Sequence, residues 1–149
     1  MAINTKKVVI AGLAAGVVLN ICDYVLNGML FADRMKTDMN AFKPGLGDAM
    51  SQMDTNTIVG FVIMDLVIGM LLAYTYAAMR PRFGAGAKTA IITALIFWIF
   101  GSVITSNFLL MGMMSTGLWW SFGMAYLVCL IITALVAGAL YSEDSAVTA

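Results

Sequence analysis

The sequence predicts an all-α integral membrane protein, a four-helix bundle with both ends on the cytoplasmic side. Three observations carry that reading. Of 149 residues, 62% are hydrophobic and only 11% are charged, about half the charged share usual in soluble domains. The mean hydropathy is +0.95, more apolar surface than a soluble fold of this size can bury but well suited to lipid. Finally, no charged residue falls between Lys88 and Glu143, so residues 89–142 form an uncharged run of 54. That run is long enough for two spans at about 20 residues each.

Taken in order, the first span covers 8–31, apolar apart from Asp23 and two asparagines. Lys6-Lys7 before it imitate a signal peptide, but the apolar run outlasts the roughly 7–15 residues of a signal core, which predicts a retained helix. The second span covers 57–79, apolar apart from Asp65, with Asp54-Thr55-Asn56-Thr57 supplying N-caps. Met79-Arg80-Pro81-Arg82 is expected to end it, since proline cannot continue the ladder. The third covers 89–110 and the fourth 118–141, separated by the glycine-bracketed turn 111–117. Trp119 and Trp120 suit an interfacial belt at the start of the fourth, while Trp98 lies mid-helix. In lipid each span must be helical, because an open sheet would leave backbone groups unpaired. A polar tail, 142–149, follows.

Orientation follows from basic residues. Lys6, Lys7, Arg80, Arg82 and Lys88 sit tightly at helix ends on one side; Arg34, Lys36 and Lys43 lie on the other among Asp33, Asp38, Asp48 and Asp54. The bias places both termini in the cytoplasm and the chain in a bacterial inner membrane. The short loop 80–88 is then cytoplasmic and the longer one, 32–56, is outer. Within the outer loop, Phe31, Met35, Met39 and Phe42 recur at helical spacing, as in a short amphipathic helix lying in the interface. Pro44-Gly45-Leu46-Gly47 breaks it. This segment is a connector or, more sharply, a lid.

The two aspartates are the first chemical candidates. A carboxylate near the bilayer centre costs about 2.5–3.5 kcal/mol on insertion scales and rarely faces lipid. Asp23 precedes the outer end of its helix by eight residues and Asp65 follows the outer start of its own by about eight. Both are thus expected roughly 12 Å below the outer boundary, at one level. Gly12, Gly16, Asn20, Asp23 and Asn27 follow steps of three and four and form one stripe. Its inner half is a close-packing GxxxG motif. The same depth on the other helices reaches Ser102 and Tyr126, which predicts a polar layer drawn from all four. No lysine, arginine or histidine lies within the spans to neutralise it. Two adjacent carboxylates in low dielectric cannot both ionise cheaply. They would share a proton, hold a cation or a cationic ligand, or stay neutral and bond to Asn20, Asn27, Ser102 or Tyr126 as glue between helices.

Other chemistry is sparse. Histidine is absent, which removes the usual haem ligand and general base. Cys22 and Cys129 each sit in an apolar run and read as small buried hydrophobes, too few for a zinc cluster or a disulfide framework. Nine of thirteen methionines fall at or beyond the outer half. Met50, Met53, Met111, Met113 and Met114 have spacings usable for Cu(I), although methionine is also a gap-filler. Ala134-x3-Gly138 reads, like Gly12-x3-Gly16, as a packing face. Gly84-Ala85-Gly86 is a weak phosphate signal. No phosphate loop, dinucleotide fingerprint, nucleophile elbow or metalloprotease helix is present, nor a basic stripe for nucleic acid. No cofactor and no enzymatic activity are expected.

The helix 1 end, Asp23-Tyr24-Val25-Leu26-Asn27-Gly28-Met29-Leu30-Phe31, runs into a polar interfacial segment, and helices 3 and 4 share a tiny outer turn. In this the chain resembles small four-helix bacterial membrane proteins grouped as domain-of-unknown-function families. The resemblance implies topology and no activity. The leading expectation is a non-enzymatic protein working through helix–helix contacts, with itself or with other membrane subunits. The alternative is a transporter-like or ligand-binding bundle centred on Asp23 and Asp65.

Overall fold

A computed structural model describes residues 3–142, so the expected tail beyond Ser142 lies outside the described residues. All regular structure there is helical. Helix α1 (Thr5–Asp23) continues directly into a π-helical segment (Tyr24–Leu30). Then come α2 (Ala32–Phe42), α3 (Leu46–Met50), α4 (Thr55–Phe83), α5 (Ala87–Leu110) and α6 (Thr116–Leu140). Four of these units are long and apolar enough to cross a membrane: Thr5–Leu30, Thr55–Phe83, Ala87–Leu110 and Thr116–Leu140, of 26, 29, 24 and 25 residues.

Local chemistry sets the ends. Asp54 Oδ1 accepts from the Thr57 amide at 2.8 Å, so among the candidate caps the aspartate starts α4. Ser115 caps α6 in the same way, its Oγ accepting from the Leu118 amide at 3.3 Å. Helix α4 does not stop at Pro81 as expected. It runs through Pro81 to Phe83, although proline removes one donor from the ladder there. Gly84, at φ 85°, ends it by donating to the Arg80 carbonyl at 2.9 Å. The sequence spacing also missed α3, a single turn held by the Gly47 amide on Asn40 Oδ1 at 2.8 Å.

Small residues make the core. Ala11, Ala15, Ala73, Ala94, Ala134 and Ala137 are fully enclosed with Leu19, Leu72 and Tyr76. Large apolar side chains point outward instead, Phe100 67% and Val103 66% exposed. Lipid gives no hydrophobic reward for pairing helices, so close backbone approach has to supply the packing. Helix α1 packs chiefly against α4 and α6, and α5 against α6, with α4 also touching α5 and α6. A Cβ on Gly12 would stand 2.6 Å from Met70 Cα, and one on Gly16 2.6 Å from Leu66 Cα. Gly69 faces both glycines from α4. Ala134 is enclosed, and Gly138 lies under the Tyr76 ring, where a Cβ would come within 3.0 Å.

The terminal end of the bundle, where α1 starts and α6 finishes, is tied by aromatics. Tyr76 Oη accepts from the Gly86 amide at 2.9 Å, and its ring meets Tyr141 edge-on at 6.2 Å. The Arg80 guanidinium lies 5.6 Å from the Tyr141 ring centroid.

Candidate functional site

The α1–α4 contact pairs Gly12 with Met70 and Gly16 with Leu66. Farther along, Asn20 Nδ2 donates to the Val62 carbonyl at 3.3 Å as well as to Gly16 at 3.0 Å. In that antiparallel register, position 17 stands level with Asp65. Asp23 lies six residues beyond it, about 9 Å along the axis. The two aspartates are therefore staggered rather than level. Counting from helix ends misled because the ends themselves are not level.

The stagger is partly closed by side-chain direction. Helical side chains lean toward their own N-terminus. Asp23 leans toward the terminal end and Asp65 toward the loop end, so they converge on the level of Asn20. The Asp23 carboxylate lies in the field of Asp65. Asp65 is 5% exposed and its carboxylate makes no hydrogen bond among the described residues. Asp23 is half-buried, yet its Oδ1 is enclosed and has no hydrogen-bond partner among them.

Among the described residues the expected glue is absent at these carboxylates. Asn20 spends its amide on two backbone carbonyls, and Asn27 Nδ2 donates to the Asp23 carbonyl at 3.2 Å rather than to either carboxylate. Asn27 sits in the π-helical segment, which the three-and-four stripe did not anticipate. Its i→i+5 bonding is seen where the Phe31 amide donates to the Leu26 carbonyl at 2.9 Å. Such segments recur at functional sites.

Tyr126, on α6, joins the group: it feels both carboxylates and both thiols. Cys22 and Cys129 are free and interact with each other across α1 and α6, a pairing that single-residue reading of each apolar run could not find. Ser102 sits elsewhere, in a shallow groove between α5 and α6 with Trp98, Ser106 and Trp119. Trp98 Nε1 donates to the Gly123 carbonyl there at 2.7 Å. The polar group thus draws on α1, α4 and α6, not on all four helices.

Above it, Phe31 meets Phe122 edge-on at 5.5 Å, and Phe122 stacks on Tyr126 at 5.9 Å. Helix α2 docks on the start of α6: Asp38 Oδ2 accepts from the Ser115 amide at 2.7 Å, and Arg34 Nη1 donates to Ser121 Oγ at 3.3 Å. Met50 and Met53 flank the α3–α4 connection, while Met111, Met113 and Met114 lie in the α5–α6 turn. Among the described residues no three histidine, cysteine or acidic side chains converge to hold a metal ion.

No protein-family model, curated protein or solved structure matches this chain.

Proposed function

We propose that this protein is a non-enzymatic, four-span protein of the bacterial cytoplasmic membrane that binds and relays protons through Asp23 and Asp65. The supporting observation is the pair itself: Asp23 lies in the field of Asp65, and the buried Asp65 and Asp23 Oδ1 lack hydrogen bonds among the described residues. A carboxyl group kept within a spanning bundle without a structural bond is characteristic of proton and ion pathways. Staggered depth suits a relay better than a single binding level. The backbone contact of Gly16 with Leu66 closes the α1–α4 seam on the terminal side of the pair. Both termini are cytoplasmic in this reading, because Lys6, Lys7, Arg80, Arg82 and Lys88 gather at the terminal end.

The test is reconstitution in lipid vesicles. Dicyclohexylcarbodiimide, which enters the apolar phase and reacts with protonated carboxyl groups, should modify Asp23 or Asp65, as mapped by mass spectrometry. Proton flux under an imposed pH gradient should fall in Asp23→Asn with Asp65→Asn. A wild-type protein without adduct, with the same flux as the double variant, removes the proposal.

A second reading is assembly through helix contacts, with another copy or other subunits of a membrane complex. The groove between α5 and α6, lined by Ser102 and Ser106 among apolar side chains, favours it, since small hydroxyl residues mark helix-docking faces in lipid. Its mass in lipid nanodiscs decides: a lone monomer that co-purifies with nothing ends that reading. The resemblance to small four-helix bacterial membrane proteins is compatible with either.

A further inference from the structure

We propose that α2 is a latch that gates water access from the loop end to the carboxylate pair, with Tyr126 as the positioning residue through which its docking is felt.

The inference rests on the proton-relay reading and adds its regulation. A continuous ring path links α2 to the pair. Phe31, the residue before α2, packs on Phe122, Phe122 stacks on Tyr126, and Tyr126 lies in the fields of Asp23 and Asp65. Displacing α2 pulls Phe31 from Phe122 and removes the support beneath the Tyr126 ring. The same motion is coupled covalently to Asp23, because only the π-helical segment Tyr24–Leu30 separates it from Phe31.

The latch itself is small and solvent-accessible. It consists of Asp38 on the Ser115 amide and Arg34 on Ser121, bonds joining residues 77 and 87 positions apart. Asp38 also places its carboxylate at the N-terminus of α6, where the helix dipole favours negative charge. Solvent-exposed bonds of this kind open without disturbing the bundle below.

The experiment compares two carbodiimides on the reconstituted full chain. Dicyclohexylcarbodiimide reports the pair from the lipid side; a water-soluble carbodiimide reports aqueous access, read site by site at Asp23. In Asp38→Ala combined with Arg34→Ala, which removes both bonds, aqueous labelling of Asp23 should rise at least about tenfold, the factor for losing one hydrogen bond to a charged group. Lipid-side labelling should not change. A cross-linked Asp38→Cys, Ser115→Cys pair should slow the aqueous reaction below wild type. If lipid-side labelling is normal but neither variant alters the aqueous rate, the latch is wrong and the relay stands. If the wild type is labelled by neither reagent, both fall.

Discussion

Asp65 lies about 9 Å deeper along the α1–α4 seam than Asp23, yet its charge reaches the Asp23 carboxylate. With Asp65 only 5% exposed and its carboxylate making no hydrogen bond among the described residues, its retention costs stability. Replacing it with leucine should raise stability by about 1–3 kcal/mol, the cost of an unsatisfied buried polar group, while abolishing proton flux. Thermal unfolding in mild detergent alongside vesicle flux measures both. A destabilised Asp65→Leu protein would mean that the carboxylate has a structural partner.

Gly16 and Leu66 set the spacing of the same seam. A Cβ at Gly16 would stand 2.6 Å from Leu66 Cα and 3.0 Å from the Asp65 carbonyl, and neither backbone can yield. Gly16→Val should destabilise by about 1–3 kcal/mol through overpacking. Gly101→Ala meets open space and should be neutral or slightly stabilising. Paired unfolding curves of the two variants test the contrast.

The α2–α3 hairpin carries a pH signature. Lys36 Nζ lies 2.7 Å from Asp48 Oδ1, and Asn40 donates to Asp48 Oδ2 at 3.1 Å. The hydrogen bond from Lys36, then that from Asn40, holds the Asp48 carboxyl below its ordinary range; the bond to Asp48 raises the Lys36 ammonium. Asp48 thus contributes stability above the ordinary aspartate value and loses it as pH falls through its depressed one. Lys36 contributes below the ordinary lysine value and loses it as pH rises through its raised one. The hairpin should be constant through neutral pH and loosen at both extremes. The Gly47 amide resonance, followed against pH, reports this. High salt should flatten the profile, since the pair is exposed, and Lys36→Met should remove the alkaline step.

Tyr76→Phe removes the acceptor of the Gly86 amide while keeping the ring beside Tyr141 and Gly138. The expected loss is about 1 kcal/mol, one net hydrogen bond. Gly86 amide exchange should accelerate, and proton flux should be untouched. A loss of flux would tie the terminal end to the carboxylate pair.

The spans were legible because lipid imposes a length and excludes charge, and both are countable. The Gly12–Gly16 face was legible because close helix approach needs residues without side chains at that interval. Helix boundaries moved by two residues at Ala87 and Thr116, and further at the end of α4, which passes the expected stop at Met79 and runs through Pro81 to Phe83. The polar layer was legible in part. Depth counted from helix ends grouped Asp23, Asp65 and Tyr126, but it also drew in Ser102 and could not give the interhelical register, which Gly16 and Gly69 determine. The Cys22–Cys129 contact, the Phe31–Phe122–Tyr126 stack and the π-helical segment depend on how helices rotate against one another, and no single-helix pattern encodes that.

The Asn4 amide donates to the Tyr141 hydroxyl at 3.3 Å, so the start of α1 and the finish of α6 meet. A linker of a few residues could therefore join them, and the sequence could be reopened at Gly112 in the exposed α5–α6 turn. Such a circular permutant would keep every helix neighbour while reversing the order in which α6 and α1 leave the ribosome. If it inserts and assembles like the parent, the contacts between helices, rather than the sequence of their synthesis, specify this architecture.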